Sequence, residues 1–161
     1  MVNADLFPPK HHHHEDCVRD ALAAAEIACQ KQGARLTPVR KRVLELVWAS
    51  HDPVGAYGLL DRLAADGIKA VPPTVYRALD FLLEHGLVHR LESLNAYVGC
   101  THTSGPHTAQ FLICTACRRV AELDDPAIGQ SLADSAAKRG FVVTKQTVEV
   151  EGLCAACRGG N

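Results

Sequence analysis

The first half of the chain carries apolar residues at the spacing of amphipathic helices. From Asp16 they recur every three or four positions until Gly33, namely at Val18, Leu22, Ala25 and Cys29. Three further stretches of this kind begin at Pro38, Ala56 and Pro72. Thr37 is a typical N-cap, and proline after it is favoured at the first helical position. The pattern therefore predicts four helices before Gly86, which is suited to ending the last one.

After the fourth helix the spacing of apolar residues changes to that of short strands. Residues 87–91 and 96–100 are predicted to form a hairpin with its turn near Leu94 and Asn95. Three helices followed by such a wing, with an extra helix in front, predict a winged helix-turn-helix.

The second half is predicted to be a smaller unit of strands and one helix. Strands are predicted at 109–114, 120–123 and 141–153, and a helix at 125–140. We therefore predict an α+β protein with four parts: a disordered His-containing tail at 1–15, a winged-helix DNA-binding domain at 16–100, a hinge at 101–108 and a small C-terminal domain at 109–161. The cysteine motifs and the family resemblance described below identify this last part as a dimerisation and zinc-binding domain.

Composition indicates a globular protein of one ordinary domain or two small ones. Of its 161 residues 47% are hydrophobic and only 5% aromatic, so its core is built mostly from Leu, Val and Ala. No apolar run approaches the roughly 20 residues that span a bilayer, and the N-terminus shows no secretory signal. We expect a cytoplasmic protein with no membrane partner.

Charge is informative in its distribution rather than in its sum, which is −1. Between positions 31 and 42 there are only basic and uncharged residues, and the basic ones are Lys31, Arg35, Arg40, Lys41 and Arg42. We interpret Arg35, Arg40 and Lys41 as contacts to DNA phosphates, which position a protein without reading sequence. A solvated helix surface is the alternative interpretation.

Two CxxC motifs are the strongest chemical signal in the sequence. CTAC ends at Cys117, and CAAC begins much later at Cys154. Two such pairs predict a structural zinc with four thiolate ligands, namely Cys114, Cys117, Cys154 and Cys157. The ion would join the last strand of this unit to its first one. A redox switch on the same thiols is the alternative.

A second set of metal-ligand residue types lies around the predicted hinge. With the predicted turn, His89 faces Cys100 across the hairpin, with Cβ atoms about 4.5–5.5 Å apart. His107 lies in the hinge, with His102 as a spare, and Glu122 lies on a strand beyond the first cysteine pair. One thiolate, two imidazoles and one carboxylate suit tetrahedral zinc and leave no open position for catalysis.

Several strings resemble the ferric uptake regulator superfamily, and specifically its zinc uptake regulator branch. They are RLTPVRKRVLELV, PPTVYRALDFLLEHGLVHRLES, YVGC, FLICTACRRVAEL and GLCAACR. The resemblance implies a winged helix-turn-helix followed by a small C-terminal α/β dimerisation domain, in a homodimeric metal-sensing repressor. It implies two zinc ions per monomer: a structural one on the four cysteines and a regulatory one on His89, Cys100, His107 and Glu122.

The resemblance also implies that Tyr57 and Arg77 touch DNA. Arg77 lies on the side of its helix away from the apolar stripe, where an arginine can reach guanine O6 and N7. Thr74 and Tyr76 on the same helix are further candidates. An exposed arginine paired with a neighbouring carboxylate is the alternative interpretation.

Together these observations predict a zinc-responsive DNA-binding repressor, with zinc as corepressor, that controls genes of zinc uptake and homeostasis. We expect it to bind a pseudo-palindromic operator as a homodimer, with recognition helices about 34–36 Å apart. A thiol-, peroxide- or iron-sensing repressor on the same scaffold is the alternative. We expect no enzymatic activity and no small-molecule substrate.

Overall fold

The computed structural model describes residues 6–7, 14–50, 52–103, 105 and 107–159. These residues form two compact units, 14–105 and 107–159, and the second also includes Leu6 and Phe7. The division falls inside the predicted hinge, while the domain limits themselves stay a prediction. Most of the predicted tail lies outside the described residues, but its last two positions already belong to the first helix.

The N-terminal unit consists of four helices and a two-stranded wing. α1 spans His14–Lys31, α2 Pro38–Trp48, α3 Ala56–Ala65 and α4 Pro72–Glu84, followed by β1 at Val88–Leu91 and β2 at Ala96–Gly99. Proline occupies the first turn of α2 and of α4, where its missing N–H costs no helical hydrogen bond. The four predicted helices and the two strands of the wing are confirmed.

One hydrophobic core lies among the four helices and the wing. Leu44 on α2, Leu59 on α3 and Leu79 on α4 are at most 1% exposed. Each fully buried side chain of this kind stabilises a fold by about 1.5–3 kcal/mol relative to an exposed one. Apolar burial is therefore the main source of stability in this unit. None of the described helices is long and apolar enough to cross a membrane.

The register of the wing differs from the predicted one. β1 and β2 pair antiparallel with His89 opposite Val98, so the predicted pairing of His89 with Cys100 is wrong. The reason is the connection at 92–95, which places Asn95 at φ 46° and centres the turn one residue earlier than expected. His89 and Cys100 are instead diagonal neighbours of the hairpin.

The C-terminal unit is a three-stranded sheet with two helices. β3 spans Ala109–Cys114, β4 Val120–Glu122, α5 Pro126–Ala137, β5 Thr147–Gly152 and α6 Ala155–Arg158. β3 lies in the middle, antiparallel to β4 and parallel to β5. A parallel pair needs a crossover connection, and α5 lies in it. The predicted α+β class is confirmed.

Two features at the end of the C-terminal unit differ from the prediction. The last strand begins at Thr147 rather than at Phe141, because β3 has six residues and pairs with β5 over its whole length. Phe141 and Val142, whose apolar side chains suggested a strand, are 64% and 81% exposed. The short helix α6 has no counterpart among the predicted elements, since four residues are too few for a periodic pattern.

Candidate metal centre and nucleic-acid interface

The two cysteine pairs meet at one end of the C-terminal sheet. The parallel pairing of β3 with β5 places Cys114 opposite Gly152, so the residues that follow the two strands lie side by side. Four sulfurs lie within 4.8 Å of one another there, and they belong to Cys114, Cys117, Cys154 and Cys157. The topology of the sheet thus brings the predicted structural zinc ligands together.

The spacing of these sulfurs suits a tetrahedral zinc ion. With Zn–S bonds of about 2.3 Å, neighbouring sulfurs of a tetrahedral site lie about 3.8 Å apart. The sulfurs of Cys117 and Cys154, one from each pair, are 3.8 Å apart. Thiolate donors favour zinc over hard cations such as Mg²⁺ or Mn²⁺. The cluster therefore fits a closed structural site in which thiolates fill every coordination position.

Hydrogen bonds within the cluster divide its thiols into acidic and weakly acidic ones. Backbone amides of Cys117 and Cys154 lower the pKa of Cys114 to about 6, and the second of these bonds measures 3.4 Å. The side chain of Arg119 lowers the pKa of Cys117. Hydrogen bonds that Cys157 shares with the sulfurs of Cys154 and Cys117 raise its pKa to about 12. Zinc must displace at least this last proton, so its affinity rises with pH.

Two of the predicted regulatory ligands lie together in the C-terminal unit. Nε2 of His107 is 2.8 Å from Oε1 of Glu122, and these side chains are 19% and 6% exposed. Glu122 lies opposite Phe111 on β3, so the sheet fixes the position of its carboxylate. Nitrogen and oxygen ligands of one tetrahedral zinc lie about 3.4 Å apart. The two groups need to separate by only about 0.6 Å to reach that spacing, so this hydrogen-bonded pair fits two corners of a tetrahedral zinc site.

The other two predicted regulatory ligands lie together in the N-terminal unit. The His89 imidazole and the Cys100 sulfur offer ligand atoms within 4.8 Å of each other. Cys100 is 2% exposed. The preceding Gly99 lies directly against the indole of Trp48 on α2, where an added Cβ would overlap the ring. Packing of the wing on α2 therefore determines where Cys100 lies.

Helix α4 presents an exposed polar face opposite its buried stripe. Arg77 is exposed, while Val75 and Leu79 on the same helix are fully buried. Within the part of the chain that the structure describes, the Arg77 guanidinium pairs with neither Asp80 nor Glu84. The alternative interpretation of Arg77 thus finds no support in the structure, and its side chain is available to a ligand.

Two tyrosines lie beside this face. Tyr57 on α3 is 67% exposed and Tyr76 on α4 is 41% exposed, and both border one small depression next to Pro72. Thr74, another predicted contact, is half-buried. Exposed aromatic and basic side chains on adjoining helices suit contacts to DNA bases and phosphates.

The predicted basic face is partly neutralised by contacts that its sequence did not indicate. The guanidinium of Arg40 lies 3.7 Å from the centre of the Phe81 ring and donates to the Arg35 carbonyl at 2.7 Å. Nζ of Lys41 lies 3.0 Å from a carboxylate oxygen of Glu26 on α1. Arg35 keeps an exposed side chain. The three predicted phosphate contacts stay predictions. Among the described residues, Arg35 is the one of the three whose side chain has no such partner.

Arg119 is absent from the predicted site residues although it touches the cysteine cluster. Its Nε donates to the sulfur of Cys117 at 3.4 Å, and Nη2 donates to the sulfur of Cys154 at 3.6 Å. The sequence alone does not single it out, because Arg118 lies one residue nearer to the same CxxC motif.

Comparison with protein families matches residues 31–151 to the ferric uptake regulator family. The zinc uptake regulation protein of Escherichia coli (strain K12) is 44% identical to this chain over 140 residues, which cover 86% of this chain and 82% of that protein.

Two solved structures are similar to the chain over most of its length. A zinc uptake regulator complexed with zinc and DNA superimposes with a TM-score of 0.83 at 44% identity, covering 88% of this chain and 95% of that one. The crystal structure of holo XcZur gives a TM-score of 0.82 at 46% identity, covering 88% of this chain and 99% of that one.

Proposed function

This chain belongs to the ferric uptake regulator family, and we propose that it is a DNA-binding transcriptional repressor with zinc as corepressor, which controls genes of zinc uptake and homeostasis. The family and the zinc uptake regulator branch predicted from the sequence are confirmed by relatives at this level of identity. The observation that carries the proposal is that each unit holds one close pair of zinc-type ligands. The C-terminal unit holds the four-cysteine cluster as well. Since the protein acts on DNA, we place it in the cytoplasm.

We assign two zinc ions to each protomer. The structural ion is held by the four cysteines of the C-terminal unit, whose sulfur spacing supports a tetrahedral site. The regulatory ion takes His89 and Cys100 from the N-terminal unit and His107 and Glu122 from the C-terminal unit. A thiolate in this second set favours zinc over ferrous iron, and four protein ligands leave no position for a substrate.

Ligands drawn from both units couple metal binding to DNA binding. A site completed by two residues of the wing and two of the C-terminal unit favours the arrangements of the chain in which all four reach one ion. A shift from 1:99 to 99:1 requires about 5.5 kcal/mol of differential affinity, and structural zinc sites in peptides supply about 10–16 kcal/mol. Because linkage is reciprocal, operator DNA should tighten regulatory zinc binding by the same factor.

Exposed apolar residues on the C-terminal unit support a homodimer. Five large apolar side chains there are between 46% and 81% exposed, namely Leu132, Phe141, Val142, Val150 and Leu153. β5 is also an edge strand of the described sheet, and a second copy of the chain would cover it. Two-fold symmetry then presents two α4 helices to major grooves about 34–36 Å apart, which predicts a pseudo-palindromic operator.

The proposed DNA contacts divide into those that read bases and those that position the protein. Arg77 donates two hydrogen bonds to a guanine. Tyr57 and Tyr76 lie beside Arg77 and contact bases or the DNA backbone. Thr74, at the start of α4, is a further contact. The residues that position the protein on phosphates are Arg35, Arg40 and Lys41.

Replacing Cys100 tests the zinc-responsive function. In Cys100→Ser we expect operator affinity to stop rising with free zinc while the four-cysteine zinc stays bound. Cys29→Ser is the matched control, because Cys29 and Cys100 are both 2% exposed in the same unit and both substitutions bury a hydroxyl. Fluorescence anisotropy of labelled operator in zinc-buffered solution measures the difference. Equal zinc dependence in the two variants would remove the regulatory assignment.

Replacing Arg77 tests the assignment of α4 as the recognition helix. Arg77→Ala should lose about 1–3 kcal/mol of binding free energy at one operator position, because a bidentate contact to guanine is lost. Arg19→Ala is the control, since Arg19 is exposed on α1 and already paired with Asp16 at 2.8 Å. Affinities for a set of single-base operator variants give the measurement. A loss spread evenly over all sequences would make Arg77 a phosphate contact.

A further inference from the structure

The Arg119 side chain bridges the two cysteine pairs. Its Nε contacts the sulfur of Cys117, from the first pair, at 3.4 Å. Its Nη2 contacts the sulfur of Cys154, from the second pair, at 3.6 Å. These two sulfurs are 3.8 Å apart, the spacing expected for neighbouring ligands of one zinc. One planar guanidinium therefore spans an edge of the predicted coordination tetrahedron.

The backbone of Arg119 is hydrogen-bonded to the cysteine cluster, which holds the start of its side chain in place. Its carbonyl accepts a hydrogen bond from the Cys114 amide at 2.9 Å, so the residue is tied to a third cysteine of the cluster. The next residue, Val120, begins β4. On its other side the guanidinium carbon lies 5.8 Å from the centre of the Phe7 ring, within the range of a cation–π contact. The side chain is half-buried and held from several directions.

Two other arginines next to the cysteine pairs show that proximity alone does not produce this contact. Arg118 and Arg158 directly follow Cys117 and Cys157, and both are exposed. Among the described residues, neither of their side chains donates a hydrogen bond to a sulfur. The contact of Arg119 thus depends on its place at the base of β4, and Arg158 offers a control of equal charge.

Zinc bound by four thiolates carries a net charge of about −2, which a half-buried site stabilises poorly without a cation nearby. Charge-assisted N–H···S bonds place the positive guanidinium next to the sulfurs that carry most of this negative charge. The fixed fork of an arginine also holds two sulfurs at one separation, which a lysine ammonium does not do. Both effects favour the loaded site over the metal-free one.

We propose that Arg119 is a positioning residue of the four-cysteine zinc site, which holds one sulfur of each CxxC pair in place and offsets the charge of the loaded centre. The inference rests on the structural zinc assigned above. Outer-sphere partners of this kind typically contribute about 10–100-fold to metal affinity. The same hydrogen bonds draw electron density from the sulfurs, so the loaded site reacts more slowly with alkylating agents.

The test compares three variants of the full chain: Arg119→Gln, Arg119→Lys and the control Arg158→Gln. Each also carries Cys100→Ser, so that only the four-cysteine site gives a strong thiolate signal. Competition with a chromogenic chelator measures zinc affinity. We expect Arg119→Gln to bind zinc about 10–100-fold more weakly than Arg158→Gln, with Arg119→Lys between them. In the Co²⁺-substituted proteins, the sulfur-to-cobalt charge-transfer band should move to lower energy in both Arg119 variants and stay in place in Arg158→Gln.

The outcomes separate this inference from the assignment on which it rests. Equal zinc affinity and equal cobalt spectra in Arg119→Gln and Arg158→Gln would overturn the role of Arg119 and leave the structural zinc intact. Absence of a four-thiolate cobalt spectrum in the parent protein would overturn both. If Arg119→Gln does not fold, Arg119→Lys decides the matter, because it keeps the charge and removes only the fork. An unshifted band with unchanged affinity in that variant contradicts the proposal.

Discussion

The N-terminal unit draws its core from all four helices and the wing, whereas the C-terminal unit buries little more than one row of side chains on a short sheet. Phe111 and Ile113 are buried in β3, but Val150 and Leu153 on the same unit are 50% and 56% exposed. Small units with so little burial are marginal without an additional source of stability. For the C-terminal unit we propose that this source is a metal ion on the four-cysteine cluster together with a second copy of the chain.

This contrast assigns different tasks to the two units. Because the N-terminal unit has a packed core, we expect its exposed arginine and tyrosines to keep their positions with or without metal. In our proposal the C-terminal unit depends on zinc for its shape, because the four-cysteine site joins its first and last strands. A sensor that divides its ligands between two such units joins a metal-dependent part to a metal-independent one.

Removal of the structural zinc should give the largest effect. With a strong chelator we expect β3, β4 and β5 to lose their protection against hydrogen exchange, while α2 and α4 keep theirs. Site energies on the order of 10–16 kcal/mol exceed what the small sheet supplies by burial. Hydrogen-exchange mass spectrometry before and after chelation gives the answer. Parallel loss of protection in both units would contradict the division of stability described above.

A packing substitution in the wing should destabilise the N-terminal unit. Gly99→Ala places a methyl group inside the Trp48 indole, and overpacking of this kind typically costs about 1–3 kcal/mol of unfolding free energy. The double variant Trp48→Leu/Gly99→Ala should recover at least about 1 kcal/mol relative to the sum of the single variants. Urea denaturation followed by circular dichroism measures all four proteins. Additive effects would mean that the indole does not determine the position of the wing.

Loss of a helix N-cap should give the smallest effects. One N-cap in each unit allows the two losses of stability to be compared directly. Asp125 accepts a hydrogen bond from the Ala127 amide at 2.9 Å, so Asp125→Ala should destabilise the C-terminal unit by about 1 kcal/mol. Thr37 is the N-cap of α2 but its side chain makes no capping hydrogen bond, so Thr37→Ala should cost less than about 0.5 kcal/mol. Thermal unfolding of the zinc-loaded protein resolves the two values. A larger loss for Thr37→Ala would contradict this geometry.

The helices were predictable because each buries one regular stripe against a shared core, and such a stripe is visible in the sequence. The register of the hairpin was not predictable, because the connection at 92–95 lacks an Asn-Gly signal and Asn95 takes a left-handed conformation. A residue count alone cannot tell which position a four-residue turn centres on. The shift changed the partner of His89 but kept its ligand atom near that of Cys100.

Side-chain partners that lie far apart in sequence were the other limit. The basic run looked uncompensated because Glu26, the partner of Lys41, lies on the preceding helix. The contact of Arg119 with Cys154 depends on the parallel pairing of β3 and β5. The cysteine motifs, in contrast, were predictable because their ligand chemistry is local to each CxxC turn.

The parallel pairing of β3 with β5 has a consequence for how the protein is made. Cys114 and Cys154 are 40 positions apart, so a ribosome releases the first cysteine pair well before the second exists. The N-terminal unit precedes both and is free to fold during translation. The nascent chain must therefore carry an immature second half, with reactive thiols exposed, until the CAAC motif emerges. In the proposal above, each new copy of this regulator therefore fills its four-cysteine site only at the end of synthesis, after the ligands of the regulatory site have already been made.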